Sequence, residues 1–336
     1  MRRAIVHIGR NKTGTSTLQF DLARGRELLM RHGYIYPGPM SQHECLVYHL
    51  EPERAAHLPA GLLQKHNQHF QTLEEQIAGT TASFIFSSEG LQNIRPQRLR
   101  EWLGNTDTYI VIYLREQISY LASSYQQEIK QISTFADFPT WASAFSPQIL
   151  DYTNFLDTWC AVFGQDRVIV RSYDRMHLVK NDITVDFLLL LGISGFGELI
   201  EGRGKDGNPS INGPLLEAKR RINALKLDEF EMLSATYTHL QDLAISYPEY
   251  RGRLGIDPNY VRSLRAELLE ANNLLARRHL GAEALFENET FPLPSPPSEE
   301  SIHLATTRLM ALVEKTAPEF AARLSARLSG VTSDGS

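Results

Sequence analysis

Ala4-Ile5-Val6-His7-Ile8-Gly9-Arg10-Asn11-Lys12-Thr13-Gly14-Thr15-Ser16-Thr17-Leu18-Gln19 is the stretch on which the fold turns. Ala4 to Ile8 has strand character and is broken by Gly9. From Thr17 onward, Leu18, Leu22, Leu28 and Leu29 recur at roughly helical spacing. Between strand and helix sits a loop of glycine, lysine and small hydroxylated residues. Such a strand–loop–helix forms an anion site, because N–H groups at the helix start point at the ligand and the helix dipole favours negative charge. Lys12 supplies a mobile positive charge, and Thr13, Thr15, Ser16 and Thr17 add hydroxyl donors around Gly14. The plain alternative is a helix start rich in Ser and Thr caps.

The loop is not a Walker A motif, which places a glycine five positions before a Gly-Lys pair followed by Ser or Thr. Here the order is Lys-Thr-Gly-Thr-Ser, with the lysine ahead of the glycine. No Walker-B-like aspartate ends the strand-like runs Phe84–Phe86 or Tyr109–Leu114, so the phosphate site is expected to work without a metal.

Working outward, the runs Ala4–Ile8, Phe84–Phe86, Tyr109–Leu114 and Val168–Val170 read as strands, with Gly33–Pro37 as a possible fifth. Near-continuous apolar runs suit parallel strands covered on both faces. A second helical pattern runs through Ile118, Leu121, Ala122, Tyr125 and Ile129. Strands alternating with helices predict an α/β fold: an open, mainly parallel central sheet with a P-loop-like phosphate site, helices on both faces and a helical C-terminal extension. After Gly192 the character changes. Ile193–Pro214 reads as a loop, and helical stretches follow at Leu215–Leu227, Pro258–Leu280 and Ser301–Leu328. Pro292, Pro294, Pro296 and Pro297 mark an exposed linker. The expected organisation is an α/β nucleotide-binding core over residues 1–200, a loop and helical part packed on it over 201–328, and a frayed tail over 329–336.

With 34 basic and 39 acidic residues the net charge is −5, which argues against broad binding of nucleic acid but leaves room for a local basic pocket. Cys45 and Cys160 are too few for a disulfide framework and suit a reducing compartment. No apolar run reaches the roughly 18 residues of a membrane span, and the start of the chain does not read as a signal peptide. A cytoplasmic location is the default expectation.

A second motif sits on the next strand. Arg115 follows Tyr109–Leu114, at the strand end where ligands of open α/β sheets bind, with Ser123 eight residues on and Tyr125 after it. Arginine can hold a phosphate bidentately and serine can add a hydrogen bond. A surface arginine and a solvent-facing serine are the bland reading.

Together the two motifs resemble the sulfotransferases that use 3′-phosphoadenosine 5′-phosphosulfate (PAPS), nearer the carbohydrate and microbial types. Lys12-Thr13-Gly14-Thr15-Ser16 is similar to that family's 5′-phosphosulfate loop, and Arg115, Ser123 and Tyr125 to its 3′-phosphate motif. Gln117 stands where the family usually has proline. Val168–Asp174, with Phe187-Leu188 and Leu191-Gly192 behind it, resembles a further family segment and implies Tyr173 near the adenine. Gly202–Gly207 lies where many members carry a basic glycine loop, which implies nucleotide contacts for Arg203 and Lys205. The resemblance implies PAPS as co-substrate, 3′-phosphoadenosine 5′-phosphate (PAP) as product, and a small-molecule or glycan hydroxyl, such as that of a saccharide or glycolipid, as acceptor.

The chemistry then asks for Lys12 at the bridging oxygen and for a general base. Glu89, just past the strand Phe84–Phe86, is the first choice, against its plain role as a helix cap. His43 is the second. His43, His49, His57, His66 and His69 crowd one stretch, but no metal motif is present and no metal is expected. Two other readings stay open: a nucleotide-binding module without transfer activity, and a P-loop kinase. Neither the acceptor nor the oligomeric state is legible.

Overall fold

The computed structural model describes residues 2–10, 12–131, 134–144, 150–174, 177–201 and 209–331, with residues 330 and 331 described by backbone only. Five parallel strands form one sheet in the order β2-β3-β1-β4-β5. They are β1 (Arg3–His7), β2 (Tyr34–Ile35), β3 (Ser83–Ser87), β4 (Asp107–Leu114) and β5 (Val168–Ser172). Ala4 pairs with Phe84 on one side of β1 and with Thr108 on the other. The predicted open parallel α/β sheet is therefore present, and the four expected strands each differ from their expected ends by no more than two residues. The possible fifth shrinks to Tyr34–Ile35 at the sheet edge.

Side chains alternate across a strand, so each strand feeds two cores. Ala4, Val6, Phe84, Phe86, Ile110, Ile112 and Leu114 enter one. Ile5, Ile85, Val111 and Tyr113 enter the other. Helices α1 (Thr15–Arg24), α2 (Arg26–Arg31) and Ile183–Leu190 contribute to the second core, through residues such as Leu18, Leu22, Leu29 and Phe187. Helices α3 (Glu44–Leu50), α4 (Ala60–Ala78), Pro96–Leu103 and Tyr152–Phe163 cover the first. Burial on both faces explains why the strands read as continuous apolar runs.

The chain groups into two compact units. The first comprises Met1–Glu116, Gln148–Arg203 and Leu268–Asn288 and holds the whole sheet. The second comprises Gln117–Pro147, Gly204–Glu267 and Glu289–Ser336 and is helical among the described residues. Its first helix, α5 in our numbering, is Gln117–Gln131. The helix Pro258–Leu280 has the expected ends.

The reading of the chain after Gly192 needs three corrections. Ile193–Pro214 is not all loop: Gly197–Glu201 is a helical turn, and Pro214 sits in the first turn of the helix Gly213–Asn223, where a missing N–H is harmless. Ser301–Leu328 is two helices, Glu299–Thr316 and Pro318–Val331, divided where Pro318 cannot donate to the preceding turn. The helix Glu229–Ser246 was not expected. It starts at Asp228, whose side chain accepts from the Glu231 N–H. Residues 332–336 of the expected frayed tail lie outside the described residues. No helix among the described residues is long and apolar enough to cross a membrane.

Candidate active site

Four loops of the first unit leave the carboxyl ends of β1, β3, β4 and β5. They carry Lys12, Glu89, Arg115 and Tyr173, respectively. The loop after β1 needs unusual backbone angles. Gly9, Lys12 and Gly14 have φ of 51°, 67° and 72°. Left-handed angles suit glycine but strain a lysine. The Lys12 turn is held from two directions. Arg115 donates from Nη1 to the Lys12 carbonyl at 3.0 Å, and Thr13 donates from Oγ1 to the Arg10 carbonyl at 2.6 Å.

Gly14 is the N-cap of α1 and offers no side chain to its first-turn amides. Those amides belong to Thr15, Ser16 and Thr17. Thr15 is buried, whereas Ser16 and Thr17 are exposed. A Cβ at Gly14 would stand 2.8 Å from the Tyr173 hydroxyl and 2.9 Å from its ring, so Tyr173 lies directly against the loop. Tyr173 is held there by its N–H, which donates to the Leu114 carbonyl at 2.6 Å.

Glu89 opens the short 3₁₀ turn Glu89–Asn93 after β3. A Cβ at Gly9 would lie 3.1 Å from Thr15 Oγ1 and 3.5 Å from Glu89 Cγ, which puts Gly9, Thr15 and Glu89 in one cluster. Burial pushes the Glu89 carboxyl up. A hydrogen bond with Thr15 and the charge of Lys12 oppose that shift, and Glu44 adds to it. Burial also brings the Lys12 amine down to about 8, with Glu89 opposing and Arg115 adding. Both charges are thus drawn toward neutrality by the same desolvation.

His43 is placed differently. It is buried, its Nδ1 accepts from the Ser87 N–H at 3.0 Å, and its Nε2 then donates to the Pro37 carbonyl at 2.8 Å. Its ring meets Tyr36 and Phe86 edge-on, and burial lowers it to about 4. Both nitrogens hold backbone. Two of the other crowded histidines pack on aromatic rings. His49 stacks on Phe70 and His66 meets Tyr48. Among the described residues no group of three or more His, Cys, Asp or Glu is arranged to hold a metal ion.

Ser123 is half-buried on α5 of the second unit. Tyr125 on the same helix is built into that unit's core, with its hydroxyl on the Ala136 carbonyl at 2.9 Å and its ring against Phe138 and Trp141. Arg203 and Lys205 lie outside the described residues. The structure therefore brings Lys12, Thr13, Gly14, Thr15, Glu89, Arg115 and Tyr173 together in the first unit.

Sequence reasoning missed the residues that support them. Arg10 lies over the rings of Tyr152 and Phe155 and reaches Gln92, whose amide donates to the Glu89 carbonyl at 2.9 Å. Tyr152 donates to the Arg115 carbonyl at 2.7 Å. Arg10 sits within the quoted loop, but its partners are scattered along the chain and no spacing links them.

No family model matches the chain. A protein of Archaeoglobus fulgidus described as uncharacterized is 32% identical to it over 144 residues, 41% of this chain and 38% of that protein. The match thus spans well under half of that relative's length. A crystal structure of a sulfotransferase from Alicyclobacillus acidocaldarius superposes over 71% of this chain and 96% of its own, at 16% identity and a TM-score of 0.38.

Proposed function

We propose that the protein is a sulfotransferase that moves a sulfuryl group from PAPS to an acceptor hydroxyl. One observation carries the reading. A lysine, a half-buried carboxyl, an arginine and a tyrosine from four strand ends gather around a helix start whose N-cap glycine offers no side chain. That is where an open parallel sheet binds its ligand, and the set suits transfer of an anionic group.

On this reading the amides of Thr15, Ser16 and Thr17 hold the 5′-phosphate, and Lys12 neutralises charge that grows on the oxygen bridging to sulfur. Arg115 holds the 3′-phosphate, and Tyr173 lies beside the nucleotide. The acceptor oxygen attacks sulfur as the bond to the bridging oxygen breaks. Glu89 takes the hydroxyl proton, and PAP leaves with the bonding electrons. A carboxyl raised by burial is a stronger base than an exposed one, which suits that step. The acceptor is a small-molecule or glycan hydroxyl.

Calorimetry with PAP and AMP, without magnesium, tests the nucleotide. PAP should bind more tightly. Arg115→Ala should remove most of that preference, at a cost of about 1.5–3 kcal/mol for a charge-assisted contact. Because Arg115 also supports the Lys12 turn, the ratio of the two affinities is the readout. Equal binding of PAP and AMP by the unaltered protein overturns the assignment.

A further inference from the structure

Glu44 lies outside both sequence motifs, at the start of α3. Its carboxylate nevertheless meets the residues on either side of Glu89. Ser88 donates from Oγ to Glu44 Oε2. The same Ser88 Oγ accepts from the Gly90 N–H at 3.1 Å, so it caps the turn that Glu89 opens. A Cβ at Gly90 would stand 2.6 Å from Glu44 Oε1 and 3.0 Å from Oε2. Glycine at 90 is thus what lets the carboxylate come this close. The Ser88 N–H donates to the His7 carbonyl at 3.3 Å, which ties the turn back to β1 just ahead of the phosphate loop.

We propose that Glu44 is the positioning residue for Glu89: it grips Ser88 and packs on Gly90, and so fixes the turn that presents Glu89 to Thr15 and the phosphate loop. The proposal rests on the reading of Glu89 as base. Its charge has a second consequence. The groups acting on the Glu89 carboxyl are Thr15 from α1, Lys12 from the loop after β1 and Glu44 from α3. Arg115, from the loop after β4, acts on the neighbouring Lys12. Thr15 and Lys12 favour the charged carboxylate, and Glu44 disfavours it. Glu44 therefore works with burial to keep Glu89 basic, by the repulsion of like charges.

Two substitutions separate the grip from the charge. Glu44→Gln keeps an oxygen acceptor for Ser88 and removes the charge. Glu44→Ala removes both. In Glu44→Ala, sulfuryl transfer should fall about 10–100-fold, part of the effect of losing a positioned base. PAP affinity should stay within about twofold, since none of the phosphate-holding groups is touched. In Glu44→Gln, turnover at high pH should stay near that of the unaltered protein, and the acidic limb of the pH–rate profile should move to lower pH. A merely structural carboxylate would lower the melting temperature without moving that limb.

The reading of Glu89 as base can fail separately, so a readout besides turnover is needed. Carbon-13 NMR of labelled glutamate side chains titrates Glu89 directly, assigned through Glu89→Gln. Its midpoint should fall in Glu44→Gln whether or not the protein transfers sulfate. An unmoved midpoint overturns the proposed coupling. Full turnover by Glu44→Ala, or a parallel loss of turnover and PAP binding, overturns the positioning role. An unaltered protein that binds no PAP and transfers nothing refutes the sulfotransferase reading instead.

Discussion

Lys12 gives the sharpest link between structure and measurement. Burial brings its amine down to about 8 in the free protein, from the ordinary value of 10.5. An anion bound at the loop favours the charged amine, so it should restore the proton. PAP binding should therefore take up a proton in the window between those two values, where the free protein has lost it and the complex keeps it. If the complex regains the ordinary value, linkage makes PAP affinity about 25-fold weaker at pH 9.5 than at pH 7, or about 2 kcal/mol. Uptake should approach about one proton near the middle of the window. Calorimetry at that pH in two buffers of different ionisation enthalpy counts the proton directly. The phosphates of PAP are already fully ionised there, so they do not contribute. Lys12→Met removes the group, and its PAP affinity should be weak but flat across the window. Equal affinity at both pH values in the unaltered protein, with no buffer-dependent heat, would refute the argument. Uptake that persists in Lys12→Met would place the proton on another group.

Gly14→Ala forces a side chain to a φ of 72° and within 3.0 Å of Tyr173. It should cost about 1–2 kcal/mol for the left-handed backbone plus about 1–3 for the overlap. In a Tyr173→Ala background only the first part should remain, which urea melts of the four proteins would show. Lys219, buried in the second unit beside its partner Asn223 Oδ1, is brought down to about 7 by burial. Its folded value lies below its unfolded one, so the charged amine penalises folding fully below pH 7 and the penalty fades toward pH 10.5. Lys219→Met should therefore stabilise the unit by up to about 4 kcal/mol at neutral pH and by little near pH 10.5, read from denaturation across pH. Glu89→Gln should lower turnover by about 10²-fold or more with PAP affinity kept. His43→Ala should instead lower the melting temperature, because its ring nitrogens hold the Pro37 and Ser87 backbone.

How much of this was legible depends on how far apart the interacting residues lie in sequence. The strands could be read because burial on both faces makes each one apolar along its whole length, a local property. The phosphate loop could be read because its ligand groups are consecutive. Its geometry could not. Nothing in Asn11-Lys12-Thr13 announces a left-handed lysine, since one of the two contacts that hold that angle comes from Arg115, more than a hundred residues away. Helix Glu229–Ser246 escaped for a related reason. Its apolar residues face partners within the second unit that are distant in sequence, and its start rests on a single Asp228 cap.

The candidate site shows the same limit at the level of single side chains. Glu89 and His43 were ranked by their positions after a strand and after a turn. What distinguishes them is tertiary. His43 spends both nitrogens on the backbone of Pro37 and Ser87, while Glu89 is pointed at Thr15 and Lys12. The same Ser87–Gly90 segment links the two. His43 receives the Ser87 N–H on one side, and Glu44 receives the Ser88 hydroxyl on the next residue. The histidine that ranks second as base from the sequence is thus part of the frame that holds the carboxylate that ranks first. Glu44, one residue beyond His43, went unread because neither spacing nor residue type sets it apart from any other glutamate in the first turn of a helix. Only the approach to Gly90 does, and that approach exists in three dimensions alone.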